Sequence, residues 1–246
     1  MPYGQRYTND TPILATHSDF SPMPTILISG ANRGIGLELA RQFAADGWKV
    51  LGTARDPDGA GDLKALGASV LPLQVTEQTS IDALAQTLAN EPIDVLIANA
   101  GIAINLAAKP AEVTRADFLK VVATNTFAPL ALAAAIKPNL LAGQMRIATA
   151  MSSLMSSISA NDWATQYTYR ASKTGLNAVW SALALEWAPL GITCALLRPG
   201  MVATQMTDFK GIDVRDSVAG MKGVVEQLTP ADAGRIIGYD GTDVPW

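Results

Sequence analysis

Hydrophobic residues recur along the chain in short runs that alternate with amphipathic stretches. The runs lie at 25–29, 48–54, 69–73, 93–98, 144–151 and 192–197, with a seventh at 234–238, and continuous apolar runs of this length predict buried strands. Helical periodicity covers 34–46, 79–90, 115–141 and 163–188, the third helix ending near Pro138 because proline interrupts a helix. We therefore predict an α/β fold, with one doubly wound, mostly parallel sheet and helices on both faces.

Residues 1–24 fall outside this alternation. They are rich in Pro, Thr, Asp and Ser and lack periodicity, so residues 25–246 are predicted to form the single domain. The leader is predicted to be a flexible extension, with an intersubunit arm or an artefact of the start site as alternatives. It lacks the compact hydrophobic region after basic residues that a signal peptide has, and no segment has the ~20 apolar residues of a membrane span. We expect a cytoplasmic protein without membrane contact.

Composition narrows the classes of partner. The chain has 246 residues, 49% hydrophobic and 16% charged, and a formal net charge of -4, which is typical of a globular protein and not of a disordered one. Without a run of Lys or Arg, a nucleic-acid surface is not expected, so small molecules are the expected partners. The single Cys194 lies in an apolar run and predicts a buried strand position, and the single His17 gives no basis for a metal site.

A glycine-rich turn follows the first predicted strand and precedes the first helix. Its glycines allow a tight turn and a close approach of the backbone to a ligand, so that a cofactor pyrophosphate can bind free amides at the helix N-terminus. A merely tight turn between strand and helix is the plainer alternative. The candidate cofactor contacts in this turn are Gly30, Asn32, Arg33, Gly34, Ile35 and Gly36.

The spacing of this turn, G-x-x-x-G-x-G, resembles that of the short-chain dehydrogenase/reductase family. Five further features occur in the order of the family and at the ends of the expected elements, so that the resemblance covers residues 25–246. The C-terminal residues 234–246 further resemble the C-factor-like or carbonyl-reductase-like branch. The five features are Asn99-Ala100-Gly101, Asn125 in the long central helix, Ser152-Ser153, Tyr169-x-x-x-Lys173, and Pro199-Gly200-x-x-x-Thr204.

The resemblance implies a Rossmann-type oxidoreductase that transfers a hydride between NADP(H) and a carbonyl or secondary alcohol. It implies a homodimer or homotetramer, formed through the helices at 115–141 and 163–188. The catalytic residues that it implies are Asn125, Ser153, Tyr169 and Lys173, of which Asn125 would position a water that links Lys173 to solvent. The cofactor contacts that it implies beyond the glycine turn are Val75, Asn99, Ala100, Gly101, Tyr169, Lys173, Pro199, Gly200, Val202 and Thr204.

Tyr169 and Lys173 are four residues apart and therefore share one face of a helix. A free phenol has a pKa near ~10, and both the Lys173 ammonium and an oxidised nicotinamide favour the phenolate, so we expect Tyr169 to act as acid and base. Tyr167 is the weaker candidate, because an alanine stands four residues after it. A bent helix or a buried amide is the alternative explanation of Asn125.

The substrate oxygen is expected to bind a serine hydroxyl after the fifth strand. Ser153 is preferred because it directly follows the strand end. Ser156 and Ser157 are the fallback, since the serines are crowded here and the separation from Ser153 to Tyr169 is longer than in many members of the family.

Two positions after the second strand predict a preference for NADPH over NADH. Dinucleotide folds specific for NAD usually place Asp or Glu there to bind the ribose 2′-hydroxyl, whereas this chain has Ala54 followed by Arg55. Arg55 and Arg33 are candidates to bind a 2′-phosphate; an ion pair of Arg55 with Asp56 or Asp58 is the alternative. After the third strand, Gln74-Val75 departs from the family's Asp and apolar residue, which alters the expected adenine contacts.

Apolar residues of the loop expected at 204–222 are predicted to help line a substrate pocket, ordinary core positions being the alternative. A cofactor-binding signalling or sensor protein on the same fold is the second functional hypothesis. The complete set of Asn, Ser, Tyr and Lys favours catalysis over it. The residues considered for the pocket are Met206, Phe209, Val218 and Met221, with Leu154, Met155, Trp163 and Met201.

Overall fold

A computed structural model describes residues 23–246. His17 and nearly all of the N-terminal leader lie outside the described residues, so the expectations about them stay predictions.

Seven strands of the described chain form one sheet in which every neighbouring pair is parallel. Their order is β3-β2-β1-β4-β5-β6-β7, so the direction of winding reverses between β1 and β4. At such a reversal the connections leave a crevice beyond the carboxyl ends of the strands. The strands are β1 (Thr25–Ile28), β2 (Lys49–Ala54), β3 (Ser69–Pro72), β4 (Val95–Ala98), β5 (Ile147–Met151), β6 (Thr193–Arg198) and β7 (Ile236–Gly238). The doubly wound α/β architecture is confirmed, and the sheet is wholly parallel.

The helices differ from the predicted ones in four places, the smallest being the four-residue helix Gly61–Lys64, which was not predicted. Those of the described chain are α1 (Gly34–Ala45), α2 (Gly61–Lys64), α3 (Gln78–Thr87), α4 (Arg115–Val122), α5 (Ala128–Ala135), α6 (Lys137–Ala142), α7 (Tyr167–Trp187) and α8 (Val214–Gln227). The helix predicted at 115–141 is divided: a π-helical segment, Ala123–Phe127, joins α4 to α5, and α6 follows a break at Ile136. The helix predicted from 163 begins at Tyr167, because Thr165 and Gln166 have positive φ angles of 88° and 61°.

The remaining difference is α8, which covers much of the loop expected at 204–222. Val218 and Met221 of this helix are fully buried and pack with β-strand residues in a core cluster. These two residues therefore do not line a pocket, and that part of the pocket prediction is wrong.

The core has two layers, one on each face of the sheet, as alternation along the strands requires. Ile26 and Ile28 of β1 pack with residues of α1, α2 and α8. Leu27 points to the other face, where α3, α5 and α7 cover the sheet. Cys194 of β6 lies in this second layer and is fully buried, as predicted.

One helical stretch of the described chain, Arg115–Ala135, is long and apolar enough to cross a membrane by length and composition alone. Its residues Leu132 and Ala133 lie in the core cluster that covers the sheet. The core helix of a globular domain passes the same test, so this stretch carries little weight as a membrane segment.

Asp94, directly before β4, ties together the amino ends of three central strands. Its carboxyl group accepts hydrogen bonds from the backbone N–H of Thr25 at 2.8 Å, of Gln144 at 2.8 Å and of Met145 at 3.2 Å. Asp94 and Thr25 are both buried, so the Thr25 N–H has no water to replace the carboxylate. The contacts hold the starts of β1 and β5 on either side of β4.

We expect the Asp94→Ala variant to lose about 2–4 kcal/mol of unfolding free energy, because the buried Thr25 N–H is left without an acceptor at a cost of about 1–3 kcal/mol and two further hydrogen bonds to a charged group are lost. Asp82→Ala is the matched control, since Asp82 accepts one exposed hydrogen bond from Gln78 and its loss should cost at most ~0.5 kcal/mol. Urea unfolding measures both variants. Equal stabilities of the two would show that Asp94 does not tie the strands.

Candidate active site

The glycine turn after β1 has the geometry of an anion cradle. Gly30 and Gly34 have positive φ angles of 67° and 55°, and a Cβ on Gly36 would lie 2.2 Å from the carbonyl oxygen of Gly30. Arg33, the N-cap residue of α1, makes no capping bond with its side chain, and the first turn has no acidic residue. Backbone N–H groups at this helix end therefore stay available to a phosphate. Asn32 is exposed and Ile35 half-buried.

The segment after β4 packs directly against this turn. The Asn99 amide donates hydrogen bonds to the carbonyl oxygens of Ser29 at 3.0 Å and Gly30 at 3.1 Å. The backbone N–H of Ala100 donates to the Ser29 hydroxyl at 3.0 Å, and a Cβ on Gly30 would lie only 3.1 Å from the Ala100 Cα. The glycine turn and the Asn99-Ala100-Gly101 segment, which are far apart in sequence, thus pack against each other between β1 and β4, where the winding reverses.

The loop after β6 approaches the glycine turn from the other side. Gly200 has a positive φ of 83°, Pro199 and Val202 are buried, and a Cβ on Gly34 would lie 3.7 Å from the Thr204 methyl carbon. The Arg33 guanidinium donates a hydrogen bond to the side chain of Gln205. Thr204 therefore lies beside the glycine turn, and its contact with a cofactor stays a prediction; the contact of Gln205 with Arg33 was not predicted from the sequence.

The residues chosen as determinants of cofactor preference lie at the ends of β2 and β3. Ala54 is buried as the last residue of β2, and Arg55 is exposed directly after it. Arg55 forms no ion pair within residues 23–246, whereas Asp58 pairs with Lys64 at 3.5 Å. The alternative, an ion pair of Arg55 with Asp56 or Asp58, is therefore not observed. Val75 is half-buried beyond β3.

Four predicted catalytic residues meet beyond β4 and β5. The Lys173 Nζ lies 5.7 Å from the centroid of the Tyr169 ring and donates a hydrogen bond to the Met151 carbonyl oxygen at 2.7 Å. Ser153 faces the Tyr169 phenol as a hydrogen-bond partner. A Cβ on Gly101 would lie 3.3 Å from Asn125 Oδ1 and 3.7 Å from Lys173 Nζ, so Gly101 lies close to both of these groups.

Burial dominates the electrostatics of this cluster. It raises the pKa of Tyr169 to about 12, and the hydrogen bond with Ser153 offsets only part of that rise. It lowers the pKa of Lys173 to about 8. The expectation that the Lys173 ammonium brings the pKa of Tyr169 down is wrong for the protein alone, because desolvation disfavours both charged forms. Tyr169 therefore holds its proton at neutral pH.

Asn125 is fully buried and lies in the π-helical segment. Its Oδ1 accepts a hydrogen bond from the Ile102 N–H at 2.9 Å, and its Nδ2 donates to the Ile102 carbonyl at 2.8 Å and to the Ser172 hydroxyl at 3.0 Å. The alternative of a buried amide is thus present, and the helix is π-helical at this point. Such π-helical insertions are frequent at functional sites, and the water-positioning role of Asn125 stays a prediction.

The serines that are crowded in sequence after β5 differ in burial and in their neighbours. Ser156 and Ser157 are buried, each 2% exposed, and the Ser156 hydroxyl donates to the Ser153 carbonyl oxygen at 2.5 Å. Ser153 is the serine that faces Tyr169, whereas Tyr167 is 40% exposed on the surface. The geometry favours Ser153 over both fallback serines.

Most of the other residues considered for an apolar pocket lie at the surface on two loops of the described chain. Trp163 is exposed and lies under the Arg170 guanidinium, 4.9 Å from the ring centroid. Exposed with it are Met201, Met206 and Phe209, while Leu154 and Met155 are half-buried.

Comparison with known proteins agrees with this geometry. Residues 24–214 match the family described as short chain dehydrogenase. The chain is 36% identical to the C-signal protein of Myxococcus xanthus over 67% of its own length and 99% of the relative. It is 34% identical to 1-hydroxy-2-glutathionyl-2-methyl-3-butene dehydrogenase of a Rhodococcus species over 91% of its own length and 100% of the relative.

Among solved structures, NADPH-bound carbonyl reductase from chicken fatty liver is 31% identical with a TM-score of 0.83, covering 91% of this chain and 99% of that one. The carbonyl reductase Sniffer of D. melanogaster is 30% identical with a TM-score of 0.84, covering 92% and 100%. By sequence, fold and the arrangement of its crevice, the chain belongs to the short-chain dehydrogenase family, whose members in these comparisons include carbonyl reductases.

Proposed function

We propose that the protein is an NADP(H)-dependent oxidoreductase that interconverts a carbonyl group and a secondary alcohol, with Tyr169 as acid and base. The observation that carries the proposal is one cluster: the Tyr169 phenol facing Ser153, with the Lys173 ammonium 5.7 Å from the phenol ring. It lies at the same edge of the sheet as the uncapped glycine turn. The carbonyl reductase among the similar structures that holds NADPH supports the choice of cofactor.

The reduced nicotinamide, when bound, supplies the hydride. Ser153 already accepts a hydrogen bond from the Met155 N–H at 3.1 Å, so its own O–H is the group that can donate to the substrate oxygen and stabilise the developing negative charge. Tyr169, with its pKa raised to about 12 by burial, is protonated at neutral pH and donates that proton to the same oxygen. Proton transfer leaves a phenolate, which the nearby Lys173 ammonium stabilises.

Lys173 and Asn125 have further proposed roles. We assign Lys173 to the nicotinamide ribose and Asn125 to a water that returns a proton to the site from solvent. The remaining predicted cofactor contacts, from the glycine turn to Thr204, are proposed to line the rest of the dinucleotide.

A small-molecule substrate, a cytoplasmic location and assembly as a homodimer or homotetramer belong to the same proposal. Exposed apolar side chains on the two helical regions expected to pair support self-association: Phe118, Leu119, Phe127 and Leu185.

A signalling or sensor function is the second candidate, because one relative is named C-signal. A protein that only binds the cofactor needs no proton donor, so the clustered set of Ser153, Tyr169 and Lys173 favours catalysis.

We expect Tyr169→Phe to reduce turnover by at least ~10²-fold with cofactor affinity unchanged, because the variant loses only the positioned acid. NADPH oxidation against aldehydes, ketones, quinones and diketones measures turnover. Tyr167→Phe removes an exposed hydroxyl two residues earlier and should retain normal rates. Normal turnover by Tyr169→Phe would remove this residue from the mechanism.

NADPH is expected to bind about 10-fold to 150-fold more tightly than NADH, since one charge-assisted hydrogen bond contributes roughly 1.5–3 kcal/mol. Calorimetric titration gives both dissociation constants without turnover. In the double variant Ala54→Asp with Arg55→Gln the preference should vanish or reverse, while Arg115→Gln, an exposed arginine at the start of α4, should keep it. Equal affinities in the unmodified protein would refute the assignment of Arg55.

A further inference from the structure

A buried hydrogen-bonded group lies behind Ser153, between the end of β5 and the catalytic helix α7. The Ser152 hydroxyl donates to the Asn177 Oδ1 at 2.6 Å and lies 3.2 Å from the Ser156 hydroxyl. Thr174 donates from its hydroxyl to the Ser156 carbonyl oxygen at 2.9 Å. Ser152 and Ser156 are 2% exposed and Asn177 is fully buried, so this group does not face solvent.

The group holds the short turn that carries Ser153. This 3₁₀ turn, Leu154–Ser156, is capped by the Ser153 hydroxyl, which accepts from the Met155 N–H. The Ser153 carbonyl oxygen accepts from the Ser156 N–H at 3.1 Å as well as from the Ser156 hydroxyl. The position of the Ser153 hydroxyl therefore depends on the position of the whole turn.

The same helix supplies Tyr169 and the two residues that fasten the turn. Lys173 and Asn177 follow Tyr169 at four and eight residues, so the three side chains share one face of α7. Thr174 fastens the carboxyl end of the turn, and Asn177 holds Ser152 directly before Ser153. The separation between the Ser153 hydroxyl and the Tyr169 phenol is thus set by one rigid element.

Burial of the Asn177 side chain at this position lowers the free energy of unfolding. Its Nδ2 has no hydrogen-bond partner within residues 23–246, and a buried unpaired donor is destabilising. An apolar side chain of similar size would avoid that cost. What an apolar residue cannot provide is the directional acceptor for the Ser152 hydroxyl.

We propose that Asn177 is a positioning residue, which fixes the strand end at Ser152 and thereby the placement of Ser153 relative to Tyr169. The inference rests on the proposed function for its catalytic consequence. A misplacement of about 1 Å at a reacting group can cost about 10²-fold in rate, so a residue that touches neither substrate nor cofactor can control turnover.

The first test measures the turn itself and needs no substrate. In Asn177→Ala and in Ser152→Ala, hydrogen exchange at the backbone amides of Ser156 and Ser157 should accelerate by about 10-fold or more, because the turn opens more often. Asn139→Ala is the matched control: Asn139 is also a buried asparagine, but on α6, where its amide donates to the Leu88 and Glu91 carbonyl oxygens. In this control variant, hydrogen exchange at the Ser156 and Ser157 amides should be unchanged. Ser152→Ala removes a single oxygen atom and so provides a folded variant should Asn177→Ala unfold.

The second test measures the chemistry. Turnover should fall by about 10-fold or more in both variants, with the dissociation constant of NADPH unchanged, and the double variant should be no slower than the slower single one. The groups facing the phenol are the Ser153 hydroxyl from the loop after β5 and the Lys173 ammonium from α7. Since the Ser153 hydrogen bond lowers the pKa of Tyr169, its loss should move the pH midpoint of alcohol oxidation upward.

Unchanged exchange at Ser156 and Ser157 would overturn the inference. So would variants that lose stability as Asn139→Ala does while keeping the turnover and pH midpoint of the unmodified protein, because that result describes a merely structural residue. An unmodified protein that binds NADPH but reduces no carbonyl refutes the proposed function alone, since accelerated exchange would still support the fastening of the turn.

Discussion

The close approach of the glycine turn to the segment after β4 is the constraint on which the rest of the site depends. Asn99 binds the carbonyl oxygens of Ser29 and Gly30 with one amide group, and this leaves no room for a side chain at position 36, whose Cβ would lie 2.6 Å from the Asn99 amide nitrogen. These contacts fix the conformation of the turn, and the backbone N–H groups at the start of α1 stay available to a ligand. Every cofactor contact that we propose is arranged around this fixed edge of the sheet.

A second constraint is burial of the groups that exchange protons. The same desolvation raises the pKa of Tyr169 to about 12 and lowers that of Lys173 to about 8, so at neutral pH Tyr169 is a phenol while Lys173 is still mostly an ammonium. Such a site is ready to give a proton in the direction of carbonyl reduction. Ionisation of Tyr169 is favoured only when a further positive charge enters the crevice, which an oxidised nicotinamide provides.

The sequence predicted much of this because parallel strands buried on both faces appear as continuous apolar runs, and because the family motifs each follow a strand end. It failed where the deciding interaction is not local. The spacing of Val218, Met221 and Val225 in α8 is helical, but two glycines within the helix and the preceding loop obscured it. The Arg33 and Gln205 contact joins residues 172 positions apart, and a pairwise argument from Lys173 could not include the burial that sets the pKa of Tyr169.

The central claim, that this crevice transfers hydride and does not merely bind a dinucleotide, can be measured directly by following an isotope. The protein is incubated with a carbonyl compound and NADPH that carries deuterium at the transferable position of the nicotinamide, and the alcohol product is analysed by mass spectrometry. The account predicts one deuterium on the former carbonyl carbon and a hydroxyl proton derived from solvent. Tight binding of NADPH without deuterium in any product would contradict it.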